Sequence, residues 1–509
     1  MTTMEFSEQS ANWLYLDDSN PEQGRLYVST EHRTNPAVQS DIARAMRQRP
    51  KLNLQPVHLS ELRRHQLGSV VALSSGGAWS EEQKQVVKFM KRAGEAAASD
   101  IHILIGMDNI TAVVFRIHGD LELQSELTVE EGMSLAATIV MSMCDAAPQQ
   151  FSESDEQDGR LRNEFVKALG LYAARYSAVP TESGLYVVLR VILDESDDIP
   201  SPDALGYLPE QQKLIRRMLR RPEGIIITAG PTGSGKSTTM RTFCHIYVEL
   251  TGGKRRLITV EDPVEGKVPK AVQTTIIADR NDPDAVTRAW QRRLSALKRL
   301  DYNAAVVGEI RDTWSANASI SEAKSGTLVL TTIHGNDGTG IIDRLTDTLA
   351  IAPGIVMDSQ VVIGLIAQRL VQMLCPACKK GWGDVRDTLS GDDRELVETW
   401  CDTSTVAFRN HDGCDKCWHG ITGRKVIAEV IRPDARFMQL FREQGKLVAR
   451  SYWVHHMEGI TRGAHLKRYI DAGEVDPIDA DKMSPLDEDA LNLLPADVLA
   501  AHLSGGAHD

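Results

Sequence analysis

The chain has 509 residues, 42% of them hydrophobic and 25% charged, which is material for more than one buried core. Its formal net charge of −13 argues against a partner nucleic acid held by the overall field, and the short basic clusters, Arg216-Arg217 with Arg220-Arg221 and Lys254-Arg255-Arg256, read as solvated helix ends and turns. No stretch reaches the roughly 18–20 apolar residues of a membrane span. The opening MTTMEFSEQSANW lacks the basic start and apolar core of a secretory leader, and an odd number of cysteines, seven, speaks for a reducing cytoplasm and against a disulfide framework.

In chain order, LYVST around residues 27–29 reads as a strand, Pro36 to Arg47 as a helix with apolar positions Val38, Ile42, Ala45 and Met46, and LNLQPVHL as a second strand. SELRRHQL opens on a helix cap at Ser60, and Gly68 to Gly77 reads as a linker. Ser80 starts a further helix, with Glu82 and Gln83 placed to complete its cap. Ile101, Ile103 and Ile105, then Val113, Phe115 and Ile117, alternate as half-buried antiparallel strands do, with a turn near Asp108-Asn109. Val129 to Met143 is helical, QDGR (157–160) lies in a polar segment, and RYSAVPTESGLYVVLRVIL is a strand, a turn at Glu182-Ser183-Gly184 and a strand. Residues 195–210, with Pro200, Pro202 and Pro209, read as an interdomain linker. From 211 to about 374, strands GIIITA, RLITV, AAVVG and TLVLTT alternate with helices, the pattern of a parallel sheet. Helices follow Asp434, and the Asp- and Pro-rich tail after Glu474 is expected to be partly loose.

The strongest motif follows GIIITA. Gly230-Pro231-Thr232-Gly233-Ser234-Gly235-Lys236-Ser237, continuing into Thr238, is a complete phosphate loop in the strand–turn–helix setting it requires. Glycines let backbone N–H groups curl around a phosphate, the helix dipole adds positive potential, Lys236 reaches the β- and γ-phosphates from an exposed loop, and Ser237 holds Mg²⁺. The implied ligand is ATP with Mg²⁺. Three later strand ends supply polar groups where open α/β sheets bind ligands: Glu261 in LITVEDPVE, Glu309 in AAVVGEIRD, and His334 in GTLVLTTIHGND. Gly308 stands where many such ATPases carry an aspartate, so Glu309 is the first carboxylate available to a metal or to water. Two C-x-x-C knuckles, Cys375/Cys378 and Cys414/Cys417, suit a closed tetrahedral Zn²⁺ site, while Cys144, Cys244 and Cys401 read as ordinary thiols.

GPTGSGKSTT, VEDPVE, VGEIRD, TLVLTTIHGND and AQRLVQMLC together resemble the secretion-superfamily ATPases, the hexameric motors of type II secretion and type IV pilus assembly. The resemblance runs over roughly residues 80–470, taking in ASDIHI, FRIHGDL, QDGR, RYSAVPTESGLYVVLRV and CPAC…GCDKCWHGITGRKVIAEV. It implies an α/β fold with a RecA-like P-loop ATPase core, a PAS-like α+β domain before it and a four-cysteine insert. The implied division is 1–76, 77–200, 201–374, 375–425 and a helical region with acidic tail, 426–509. By the same resemblance Glu261 lies in the aspartate box, Glu309 positions or activates the attacking water, His334 belongs to the histidine box, and Arg175 and Arg190 are the pair aimed at the γ-phosphate. Those two arginines sit on one hairpin, where their charges repel unless an anion lies between them. The implied assembly is a homohexamer at the cytoplasmic face of the inner membrane, acting on a polytopic platform protein and through it on prepilin subunits, with no nucleic acid. Thr327 and Gly335 depart from the family's His and Thr, so the histidine box is half kept. With the short N-terminal region, this suggests a divergent member, such as the motor of a plasmid-encoded conjugative thin pilus. A nucleic-acid-translocating ring ATPase and a nucleotide-gated scaffold that does not hydrolyse are the alternatives.

Overall fold

The computed structural model describes residues 6–7, 10, 13–17, 24–30, 32–49, 52–57, 62, 79–145, 150–194, 199–278 and 283–505. The expected cap at Ser60 and the linker at 68–77 lie outside these residues. The chain divides into two compact units, Met1–Asp194 and Glu195–Asp509.

The first unit holds two sheets. In the smaller, β1 (Leu14–Asp17) pairs antiparallel with β2 (Arg25–Ser29), which pairs parallel with β3 (Asn53–Val57). The helix Pro36–Gln48 buries Val38, Ile42 and Ala45 but leaves Met46 exposed, and Asn35 caps it by accepting from the Ala37 N–H at 2.9 Å. The larger sheet contains β4 (Ala98–Ile105), β5 (Thr111–Ile117), β6 (Asp120–Leu127), β7 (Gln157–Arg160), β8 (Leu171–Thr181) and β9 (Gly184–Leu193). Its order is β6-β5-β4-β9-β8-β7, antiparallel throughout. Period-two burial of Ile101, Ile103, Phe115, Val187 and Leu189 marks its core face. Two helices pack on it, Glu81–Glu95 and Val129–Thr138, each opened by a reciprocal capping box, Ser80 with Gln83 and Thr128 with Glu131. QDGR is strand β7 itself; pairing with β8 orders a segment whose polarity had hidden it.

The second unit is built on a seven-stranded sheet of order β12-β11-β13-β14-β10-β15-β18. The strands are β10 (Gly224–Ala229), β11 (Leu257–Glu261), β12 (Val272–Thr275), β13 (Ala304–Ile310), β14 (Leu328–Ile333), β15 (Val362–Leu374) and β18 (Ile421–Ile431). Every pairing is parallel except β15 with β18. Helices cover both faces, so β10 and β14 are buried at every residue and read as unbroken apolar runs. The stretch expected to be a linker is partly helical, Pro202–Leu205 and then Pro209–Leu219, because Tyr207, Ile215, Met218 and Leu219 bury against this sheet.

Between β15 and β18 the chain makes an excursion containing the short pair β16 (Lys380–Gly381) and β17 (Ala407–Phe408) and the helix Gly391–Trp400. Val397, Phe408, Val371, Ile427, Leu466 and Ile470 form its own small core. The tail is not loose. Helices Pro477–Met483, Glu488–Asn492 and Ala496–Gly505 follow, Leu499 is fully buried in the main core, and Glu488 accepts two hydrogen bonds of 2.7 Å from Arg462. Asp and Pro here act as an N-cap (Asp476) and first-turn residue (Pro477), which is their ordinary helical use. Among the described residues no helix is long and apolar enough to cross a membrane.

Candidate active site

The phosphate loop leaves the carboxyl end of β10, flanked by β14 and β15, and runs into the helix Lys236–Leu250. Gly233 and Gly235 have φ of 77° and 80°, values that side chains resist, so the turn requires glycine there. At Gly230 a Cβ would come within 2.6 Å of the Gln368 carbonyl oxygen and still closer to Ser234 Oγ. The loop is thus a tight backbone cradle with Pro231, Thr232 and Gly233 exposed at its rim and Ser234 buried beneath. Ser237 and Thr238 stand in the first turn of the helix. Lys236 is the first residue of that helix and half-buried, not a free loop side chain. Its Nζ donates to the carbonyls of Gly230 (2.6 Å) and Pro231 (3.0 Å), so the ammonium already lies across the cradle. Burial pushes its pKa down, and the charges of Glu309 and Glu265 push it back up.

Glu309 owes its direction to a bulge. Ala305 and Val307 of β13 face one core layer, while Ala304 and Val306 face the layer containing Met240, Phe243 and Cys244 of the phosphate-loop helix. Strict alternation would send Glu309 away from that helix. Instead the register slips at Gly308: Val307 pairs with Thr331 and Glu309 with Thr332, and the Gly308 carbonyl accepts from Thr332 Oγ1 at 2.7 Å. The extra residue turns Glu309 to the helix side and returns Ile310 to the core. A Cβ at 308 would stand 3.1 Å from the Val260 carbonyl oxygen, which favours glycine at this position. His334 Nε2 lies 2.9 Å from Glu309 Oε1, and Arg311 Nε donates to Oε2 at 2.8 Å. Each carboxylate oxygen therefore has one fixed partner and keeps lone pairs for a water or a cation.

Glu261 ends β11 on the same side of the sheet as Thr259. Its Oε1 accepts from Thr259 Oγ1 (2.5 Å) and Gln273 Nε2 (3.3 Å), and burial pushes its pKa up despite those bonds. The structure thus brings the loop 230–238, Lys236, Glu261, Glu309 and His334 to one edge of one sheet. Arg175 and Arg190 belong to the other unit. There they are directly opposite one another on β8 and β9, as the hairpin predicts. On the side away from Arg175, Arg190 has an acidic neighbour on the adjacent strand: Asp100 Oδ1 accepts from Arg190 Nε at 3.1 Å.

Several site residues went unread in the sequence. Gln368 donates to the Ser234 carbonyl (2.6 Å) and accepts from Tyr207 Oη (2.7 Å), which braces the loop from β15. The segment after His334 is held from below: Glu429 Oε2 accepts the Gly338 N–H at 2.9 Å, Lys446 Nζ donates to Asp337 Oδ2 at 2.8 Å, and Arg462 donates to the Asn336 carbonyl. The available signal was a polar residue breaking an apolar run, Gln368 directly after VIGLIA and Glu429 inside VIAEVI.

The four knuckle cysteines meet because β15 and β18 pair with Leu374 opposite Ile421, so Cys375 leaves one strand end as Cys414 and Cys417 approach the other. All four sulfurs lie within 4.8 Å of one another, at 3.8 Å for Cys375–Cys414, 3.7 Å for Cys378–Cys417 and 3.6 Å for Cys414–Cys417. A tetrahedron with metal–sulfur bonds of about 2.3 Å has edges of about 3.8 Å. The set fits a four-thiolate metal site. Burial pushes the Cys144 thiol up to about 12 and Cys401 up to about 11, and raises Cys244 as well, so these three are poor nucleophiles at neutral pH.

A phosphate loop at an interior strand of a mostly parallel sheet, with two carboxylates on its helix side, defines an ATPase with a RecA-like core. The chain matches the family model "Type II/IV secretion system protein" over residues 80–469, and it belongs to that family. It is 32% identical to the type II secretion system ATPase E of Vibrio cholerae over 372 residues, 72% of this chain and 69% of that one. It is 30% identical to the type IV pilus assembly ATPase PilB of Pseudomonas aeruginosa over 370 residues, 71% of this chain and 61% of that one. Among solved structures, the pilus retraction motor PilT with bound ADP aligns at a TM-score of 0.50 and 23% identity, covering 79% of this chain and 97% of that one. The ATPase DotB of Yersinia pseudotuberculosis aligns at 0.52 and 18%, covering 80% and 95%. These two likenesses concern the fold.

Proposed function

We propose that the chain is an ATP-hydrolysing, hexameric motor that powers assembly of a type IV pilus or pseudopilus from the cytoplasmic face of the inner membrane. The observation that carries the hydrolytic part is the Gly308 bulge, which turns Glu309 toward the phosphate-loop helix and against His334. The names of the secretion and pilus-assembly relatives support the rest. In this reading the amides of residues 230–238 and Lys236 hold the phosphates. Mg²⁺, held by Ser237, would offset phosphate charge. Glu309 orients the attacking water and takes its proton, His334 fixes one oxygen of that carboxylate, and Glu261 supplies a second polar wall. Arg175 and Arg190 meet the γ-phosphate, with the ring providing the approach between domains. The division into 1–76, 77–200, 201–374, 375–425 and 426–509 goes with this reading. Zn²⁺ at Cys375, Cys378, Cys414 and Cys417 is structural. The motor's partners are its own copies and a polytopic platform protein, and prepilin is moved indirectly.

The test is phosphate release by purified variants. Lys236→Ala abolishes turnover with the fold intact. Glu309→Gln keeps ATP binding and loses about 10²–10⁴ in turnover, the range for a general base. Near wild-type hydrolysis by Glu309→Gln refutes the assignment. Mixing Lys236→Ala with Arg190→Ala chains should restore part of the activity if the arginines act across a subunit boundary.

A further inference from the structure

Five charged residues form one line across the six-stranded sheet: Arg116 on β5, Asp100 on β4, Arg190 on β9, Arg175 on β8 and Arg160 on β7, each directly opposite the next. Directly opposed residues share a face, and their neighbours Ile101, Phe115, Leu189 and Tyr176 are buried on the other. The line spans four strand spacings of ~4.8 Å, about 19 Å. Like charges directly opposed on a sheet repel, and here four cations share the row with one acid.

That acid is held more firmly than the arginines around it. The Asp100 side chain is 10% exposed, whereas that of Arg190 is 47% exposed. Ser99 Oγ donates to Asp100 Oδ2 at 2.8 Å, which leaves Oδ1 for Arg190 Nε at 3.1 Å. Arg116, on the other flank, is turned away, its Nη1 donating to the Gly119 carbonyl at 2.8 Å. Asp100 therefore grips Arg190 by the inner edge of its guanidinium. The two Nη groups, the edge that forks a phosphate, have no hydrogen-bond partner among the described residues. The guanidinium is planar, and the hydrogen bond at Nε favours one setting of the torsion that carries it, so its outer edge favours one direction.

We infer that Asp100 is a positioning residue: it sets the Arg190 guanidinium so that its outer edge meets an anionic phosphoryl group, and Ser99 sets Asp100. The inference rests on the proposed role of Arg190 in turnover. Being close to isosteric, Asp100→Asn keeps the strand but weakens the grip. Expected is a loss of about 10- to 100-fold in kcat for ATP, the scale of a misplacement near 1 Å, with KM changed less than threefold. Ser99→Ala, which leaves the sheet row intact, should show a smaller loss of the same kind and serves if Asp100→Asn folds poorly. The deciding readout is the double-mutant cycle. If Asp100 acts through Arg190, then Asp100→Asn and Ser99→Ala add nothing further in an Arg190→Ala background. Full additivity overturns the inference, because a purely structural acid would cost the same with or without Arg190. Normal kcat in both Asp100→Asn and Ser99→Ala, with Arg190→Ala impaired, also overturns it and leaves the parent reading standing. Normal turnover in Arg190→Ala removes both.

Discussion

Glu429→Gln tests whether the loop after His334 is held by a buried charge. Glu429 is fully buried, and its Oε1 accepts from Arg450 Nη2 at 2.6 Å; the Arg450 side chain is 5% exposed. Oε2 meanwhile accepts the Gly338 N–H. Glutamine keeps the shape but has one acceptor oxygen for these two donors, and it leaves the guanidinium uncompensated. Breaking one side of a buried pair costs about 3–5 kcal/mol. Asp489 Oδ1, 3.8 Å from Arg450, takes up part of the charge, so the low end, about 3 kcal/mol, is expected. With a urea slope of about 3 kcal/mol/M for a unit of this size, the midpoint falls by about 1 M. Intrinsic fluorescence reads it, since buried Trp453 lies 6.0 Å from the Arg450 guanidinium and unpacks with it. Adding Arg450→Met removes the stranded charge, and the double variant should recover at least half of the loss. A shift below about 0.3 M, or a double variant weaker than the sum of its singles, refutes the reasoning. Below the midpoint the single variant should also turn over ATP more slowly, because the segment that ends at Gly338 begins at His334.

The remaining expectations follow from the same geometry. Purified protein prepared without chelator should carry about one Zn²⁺ per chain, lost together with local stability in Cys375→Ser or Cys414→Ser; absence of metal by elemental analysis refutes the site. Gly230→Ala should abolish nucleotide binding and lower the melting temperature, since its Cβ collides with the buried Ser234 hydroxyl and the Gln368 carbonyl beneath the cradle; retained binding, read by a fluorescent ATP analogue, refutes the cradle. His465 is buried between the Ala428 N–H (3.0 Å to Nδ1) and the Gly206 carbonyl (3.1 Å from Nε2), and burial lowers its pKa to about 4. The unfolded chain takes up this proton first, so the contribution is complete above about pH 6.5 and is lost as pH falls toward 4, about 3 kcal/mol in all. His465→Gln should flatten that limb of the stability–pH curve, and an unchanged limb refutes the assignment. Truncation after Met483 deletes the Glu488 partner of buried Arg462 and the Leu499 anchor; the melting temperature should drop by more than about 4 °C, and no drop refutes the packing of the tail.

Residues close in sequence carried most of what could be read directly. The phosphate loop is contiguous, so its glycines, Lys236 and Ser237 declare the turn, the helix and the ligand together. The apolar runs GIIITA and TLVLTT declare buried parallel strands, and the alternation at 101–105 and 113–117 declares an antiparallel sheet, because each pattern is the local imprint of which faces meet water. The Arg175–Arg190 pairing was legible for the same reason: a short turn fixes the register of its hairpin. Tertiary structure decided what depends on strands far apart in the chain. Glu309 faces the phosphate-loop helix only because β13 slips one residue against β14, and no periodicity within β13 records a slip defined by its neighbour. Asp100 lies beside Arg190, and Glu429 beneath Gly338, through pairings 90 and 91 residues apart. A polar residue in an apolar strand announces that it has a partner, while only the folded chain, by bringing the other strand alongside, says which. The acidic tail shows the converse. Its composition reads as solvated, and it is ordered because Arg462 and the main core offer it a buried ion pair and an apolar seat that its own sequence does not contain.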